Sequence, residues 1–396
     1  MVNPSARVAL KRRQKDEYMR LGLMWPNSPA QTVTSRAVAD RNPDILDIRN
    51  HVELAQVAEE LGLDFAFLAD SYASHSEESH RVGHQDPGIY APVWAGPIIT
   101  ATEHLGVITT LHTTYFHPAV IARLGANLDQ MSRGRWGWNI VTGYKEKEMK
   151  LFGQEGLIEH DLRYQMAEEV LNAVKMIWDS GMDDIVEYRG REFQICGSMK
   201  GPRPLQKPYP LLVNAGSSVA GQNFAVKHCD YIFTASGRFE DVGKLSQQLE
   251  QQCGARQERD LPVLPLIAVL LVMGDEEGDA ERKYEWLQEH LDWKAARAYA
   301  TNAMGGMETF QHAFKDQDER SVLLSFGIGS GSPVIKGTAK QIAEQLLSIY
   351  HNWGVRGFIF ALPFWSAKET RRLQGILSVL EQEKAWIHPR QRQWSW

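Results

Sequence analysis

The run GRWGWNIVTG, Gly134 to Gly143, decides the fold class. Its body is apolar and reads as a strand, and two polar residues, Asn139 and Thr142, stand at its C-terminal end. In a parallel α/β barrel that end carries the chemistry. Upstream, Pro118, Val120, Ile121, Leu124, Leu128 and Met131 recur at helical spacing and stop at Gly134, so a helix feeds the strand with almost no loop. Downstream, Tyr144 to Phe152 is charged and turn-rich. By the two-residue strand period, an inward Asn139 turns Trp136 and Trp138 outward against helices.

Outward from this unit the same alternation repeats. Leu21 to Trp25, Asp64 to Asp70, Gly106 to Thr114, Tyr209 to Ala215, Asp230 to Ala235, Leu264 to Met273 and Gly357 to Leu362 are apolar or β-branched runs that read as strands. Between them lie helical stripes. One is Ile48, Val52, Ala55 and Ala58, closed by Gly62; another runs through Met166, Val170, Val174 and Ile177, with Asp161 as its expected N-cap. A long helical region follows Met273, and a further helix is expected from Thr338 to Trp353. Eight strands alternating with helices specify an α/β fold, the (β/α)8 TIM barrel.

The expected barrel domain spans 21–385, preceded by an N-terminal arm at 1–20 and followed by a tail at 386–396. Two stretches exceed what a barrel needs. At about 183–204, IVEYRGREFQI predicts a hairpin turning at Arg189 and Gly190. At about 275–321 a charged helical stretch is interrupted at Met304, Gly305, Gly306 and Met307, which suits either a lid or an oligomer contact. Both are expected as decorations of the catalytic rim. The tail, with Trp386, Trp394 and Trp396, is aromatic enough to dock on a neighbouring surface.

Composition narrows the function. The 396 residues are 43% hydrophobic and 23% charged, ordinary for a globular enzyme. A net charge of -6 argues against nucleic acid or an anionic membrane as partner and leaves a small molecule. Cys196, Cys229 and Cys253 form neither a CxxC nor an even disulfide framework, which fits the cytoplasm. No apolar run of about eighteen residues occurs, and the basic residues Arg7 to Lys15 are not followed by a signal-peptide core.

Several side chains are candidates for chemistry. Asn214 to Ser218 ends a strand and opens a helix, so free N–H groups and the hydroxyls of Ser217 and Ser218 converge on a seat for an anion, unless a serine merely caps the helix. Arg163 in a first helical turn either serves an anion or pairs with Glu159 or Asp161. His112 and His117 flank the tip of the third strand and are candidates for proton transfer. His75, His80 and His84 match no zinc spacing, so a solvated loop and no metal are expected.

Four stretches in order, GRWGWNIVTGYKEKEM, EHDLRY, GPRPLQKPYP and NAGSSVAG, resemble the luciferase-like flavin monooxygenases over nearly the whole chain. The likeness is to the two-component branch that contains the pyrimidine, dimethyl sulfone, nitrilotriacetate and dibenzothiophene sulfone monooxygenases. The resemblance implies reduced FMN in the barrel mouth. Asn139 and Glu148 contact it, Arg163 and Tyr164 reach its phosphate end, and Ser218, with Ser217 beside it, holds the phosphate at the helix start. Asp70 and Ser71 fall at another flavin contact, although their residue types depart from the pyrimidine enzyme's. Thr110 and Asn139 match a pair that forms a small oxygen pocket.

By the same resemblance, O2 adds to reduced FMN to give a flavin peroxide, at N5 or C4a, which cleaves a C–N or C–S bond of a small substrate. The chain has no GxGxxG after its first strand, so a separate NAD(P)H:flavin reductase is the implied partner. A homodimer or homotetramer is implied as well. Three alternatives stand beside this reading. They are a deazaflavin- or flavin-dependent dehydrogenase on the same barrel, a metal-dependent hydrolase that would need the HxH absent near Leu21 to Trp25, and a noncatalytic flavin binder.

Overall fold

The structure is a computed structural model, and it describes residues 18–216, 218–234, 238–252, 261–306 and 317–393, without the side chains of 304–306. Its strands are β1 (Arg20–Met24), β2 (Phe65–Leu68), β3 (Gly106–His112), β4 (Trp136–Val141), β5 (Val186–Arg189), β6 (Gln194–Gly197), β7 (Leu211–Asn214), β8 (Tyr231–Thr234), β9 (Leu264–Gly274), β10 (Val334–Thr338) and β11 (Gly357–Ala361). Parallel pairing runs β1-β2-β3-β4-β7-β8-β9-β11 and back to β1, closing an eight-stranded cylinder. The eight expected runs supply those eight strands. β10 was not foreseen, because VIKGT is short and lies between the helical stretch ending near 321 and the helix expected from Thr338. It pairs in parallel with the far end of β9, from Val334 opposite Leu270 to Thr338 opposite Gly274.

Two cores follow from the strand period. Phe65, Phe67, Ile108, Leu211, Val213, Tyr231, Leu266 and Ile359 fill the cylinder. The alternate residues pack outward in the layer under the helices. Trp136 and Trp138 belong to that outer layer, both edge-on to Trp178 of the helix His160–Asp179. Gly125, in the helix Pro118–Met131, leaves room for the Trp136 ring, which lies 2.6 Å from where a Cβ would stand.

Two local expectations change. The helix His160–Asp179 is capped by Glu159, whose carboxylate accepts from the Asp161 and Leu162 amides, so Asp161 lies inside the first turn and is not the cap. β5 and β6 do form an antiparallel hairpin, but the turn lies at Gly190 to Phe193, where Glu169 accepts three backbone N–H groups. Its Ile195 and Met199 line a surface groove with Leu124 and Ile177 of the barrel helices, and Phe193 at the turn meets the His117 ring edge-on at 5.6 Å. The helix Trp293–Gly306 reaches into the expected glycine break, and Met307 lies outside the described residues.

At the opposite end of the barrel the tail folds back on its own chain. Trp386 is buried, and Arg392 meets Asp64 at 2.7 Å with both side chains out of solvent. Trp394 and Trp396 lie outside the described residues. Among the described residues no helix is long and apolar enough to cross a membrane.

Candidate functional site

A cavity of about 280 Å³ opens at the C-terminal ends of the barrel strands. Asn139 and Thr110 face into it from neighbouring positions of β4 and β3, which pair in register. Asn139 Nδ2 donates to Thr110 Oγ1 at 2.9 Å, and Thr110 donates on to Leu68 O at 2.9 Å. Asn139 Oδ1 is buried and has no partner, an acceptor aimed at whatever fills the cavity.

Glu148 comes from the helix Glu146–Leu151 and is almost fully buried. One carboxylate oxygen accepts from the Tyr72 and Ala73 amides at 3.0 and 3.3 Å, and the other accepts from the Tyr115 hydroxyl at 3.3 Å. Lys145 donates to Ser71 Oγ and to Ala73 O, each at 2.9 Å, and lies 3.5 Å from Glu148. These bonds pin the loop after β2 over the cavity. Asp70 in that loop accepts the Ala91 amide at 2.8 Å, and burial pushes its carboxyl up to about 7. His112 lies 3.9 Å from Glu148, and burial lowers its pKa to about 3, so its ring is neutral near pH 7.

The opposite end of the cavity suits an anion. Arg163 is 4% exposed; its guanidinium donates to Gly143 O, while its Nε is buried without a partner. The Tyr164 hydroxyl bonds with Asn214 and Ser218, and burial raises it to about 12. Ser218 caps the helix Val219–His228 by accepting from the Gly221 amide at 3.2 Å. Gly216 is required here: a Cβ on it would stand 1.7 Å from the Tyr164 hydroxyl oxygen. Helix-start amides, a buried guanidinium and a phenol therefore line one concavity. Ser217 lies outside the described residues.

Asp70, Ser71, Thr110, His112, Asn139, Glu148, Arg163, Tyr164 and Ser218 thus line a single cavity. Other expectations do not survive. His117 is exposed, caps the helix Pro118–Met131 and is not a lining residue. His75 and His84 are buried, not solvated. His75 bonds to Gln85 at 2.8 Å, and His84 packs against Tyr299, ring to ring at 4.7 Å. His80 alone is exposed, beside Asp86. No three His, Cys, Asp or Glu among the described residues gather as a metal site.

The sequence reading missed one wall. Asn27, Gln31 and Thr32 after β1, Gln85, Tyr299 of the helix Trp293–Gly306, and Ser330 before β10 also line the cavity. They carry no motif and no periodicity, because they come from three loops and one helix far apart in the chain.

A closed parallel barrel with a cavity at its strand C-termini, lined by polar side chains and apolar surface, defines a TIM-barrel enzyme. The chain belongs to the luciferase-like monooxygenase family, whose model matches residues 19–357. It is 28% identical to nitrilotriacetate monooxygenase component A of Aminobacter aminovorans, over 88% of this chain and 89% of that one. It is 26% identical to the FMNH2-dependent dimethylsulfone monooxygenase of Pseudomonas putida, over 76% and 80%. Its fold is similar to that of a riboflavin lyase solved with modified FMN and riboflavin, with a TM-score of 0.83 and 20% identity over 94% of this chain and 93% of that one. These matches make the chain an oxidoreductase of the monooxygenase class.

Proposed function

We propose that this protein is the oxygenating component of a two-component monooxygenase, using FMN reduced by a separate NAD(P)H:flavin reductase and O2 to cleave a C–N or C–S bond in a small organic substrate. The observation that carries this reading is the anion seat: Arg163 with an unpartnered buried Nε, beside Tyr164, Gly216 and the Ser218 helix start. Arg163, Tyr164 and Ser218 would hold the FMN phosphate, with Ser217 beside them, and Asp70, Ser71 and Glu148 would border the ring system. When bound, reduced FMN supplies the two electrons by which one oxygen atom enters the substrate and the other leaves as water.

The chain's own part is positioning and protection. Thr110 orients the Asn139 amide, whose free Oδ1 faces the reacting volume. Glu148 and Lys145 fix the loop after β2 as one wall, keeping water from that volume. His112, neutral and buried, would offer a ring nitrogen to a hydrogen bond or proton relay at that volume, a weak base near pH 7 beside the more readily titrating Asp70. The names of the relatives support a reductase partner and a small substrate for this chain.

Titration with FMN tests the reading. The wild type should bind FMN in preference to a deazaflavin, and Arg163→Ala should weaken binding by about tenfold to a hundredfold, the loss of a charge-assisted phosphate contact. Equal affinity in both proteins, or tighter binding of deazaflavin, would remove the basis of the proposal.

A further inference from the structure

The cavity has two chemically different walls. In the closed barrel, β1 stands four strands from β7, directly across the cylinder, so the loops after β1 face the anion seat after β4 and β7. Arg163 is the sole Lys or Arg among the described lining residues, and it belongs to that seat. The facing wall is built from amides and hydroxyls. Gln85 Nε2 donates to the Tyr299 hydroxyl at 3.3 Å, and Ser330 Oγ donates to Gln31 O at 3.3 Å. Asn27 Nδ2 donates to Ala69 O at 3.1 Å, which fixes the amide plane, and Asn27 Oδ1 is buried with no partner.

An unsatisfied buried acceptor calls for a donor from the ligand. A carboxylate brought to this wall would lose its hydration, meet the lone pairs of Asn27 Oδ1, and find Lys145, the buried cation on the Ser71 side, already committed to Glu148, Ser71 and Ala73; Asp70 beside Ala69 adds a carboxyl group to the same side. We infer that the substrate is an uncharged molecule that presents an N–H donor to Asn27 Oδ1, held on the β1 side of the cavity by the neutral wall of Asn27, Gln31, Gln85 and Tyr299. This differs from the tricarboxylate named by the Aminobacter relative. The inference rests on the FMN reading, since that reading assigns the opposite wall to the phosphate.

FMN affinity is measured first, for the wild type and for Asn27→Leu. The FMN-loaded proteins are then titrated with 2-pyrrolidone and succinimide, with their N-methyl counterparts, and with nitrilotriacetate, following the flavin absorbance band. In the wild type a neutral N–H probe should give a saturable shift, its N-methyl counterpart should bind at least about tenfold more weakly, and nitrilotriacetate should leave the spectrum unchanged. Asn27→Leu should keep its FMN affinity and bind the N–H and N-methyl probes alike. Tighter binding of nitrilotriacetate, no shift with either neutral probe, or equal binding of the N-methyl compounds to the wild type overturns the inference. Lost FMN affinity in Asn27→Leu overturns it too, by assigning Asn27 to the cofactor. A wild type that takes up no FMN overturns the proposed function itself, and that result is seen before any probe is added.

Discussion

Asp70 is the residue whose ionisation ties the site to stability. Its ordinary pKa of 3.8 rises to about 7 in the folded chain, with burial as the main cause. Between those values the native state holds a proton that the unfolded state has released, so Asp70 makes stability fall as pH rises through that window. His84 and His112 act the other way. Burial lowers both from 6.5 to about 3, so stability falls as pH drops below 6.5 and the unfolded chain takes up protons. Comparing urea midpoints of wild type and Asp70→Asn without flavin isolates the aspartate: the variant should gain on the wild type steadily from about pH 4 to about pH 7. A constant offset across that range would show that Asp70 is not protonated in the fold. That Asp70 ends a strand is legible in the sequence; that its carboxyl is buried depends on the Ala91 helix, 21 residues further on, closing over it.

At the scale of elements, the junction between β7 and the helix Val219–His228 is the sharpest test. A methyl group on Gly216 meets the Tyr164 hydroxyl, and that hydroxyl is held by Asn214 and Ser218. Gly216→Ala should therefore push Tyr164 out of the anion seat and weaken FMN binding by about tenfold, the size of a small overpacking penalty, while the far-UV spectrum is unchanged. Tyr164→Phe in the same chain, which removes the clashing oxygen, should recover part of the loss. FMN binding equal to that of the wild type would show that the seat is elsewhere. The run Asn214 to Ser218 announced a helix start able to take an anion. It could not announce the glycine's reason, since Tyr164 arrives from a helix some fifty residues earlier.

For the whole molecule, the tail is a clamp on the barrel end remote from the cavity. Asp64 accepts the Leu21 amide at 2.8 Å and pairs with Arg392 across 328 residues. Arg392→Ala leaves a buried carboxylate without its cation and should destabilise the fold by about 3 to 5 kcal/mol. FMN affinity should hardly change, because the pair lies at the end of the cylinder away from the seat. Denaturation curves and FMN titration on one preparation check both halves. Unchanged stability would mean that water or another cation replaces Arg392.

The sequence by itself determined the barrel, its strand alternation and the inward direction of Asn139, because periods of 2 and 3.6 residues and a polar helix start are local properties of a chain. Only the tertiary structure decided that Glu148 spends its oxygens on the Tyr72 and Ala73 amides, that His75 and His84 are buried, that β10 extends β9, and that Asn27 faces the anion seat across the cavity. Those relations join residues from separate loops, and nothing in the chain brings them together until the eighth strand closes on the first.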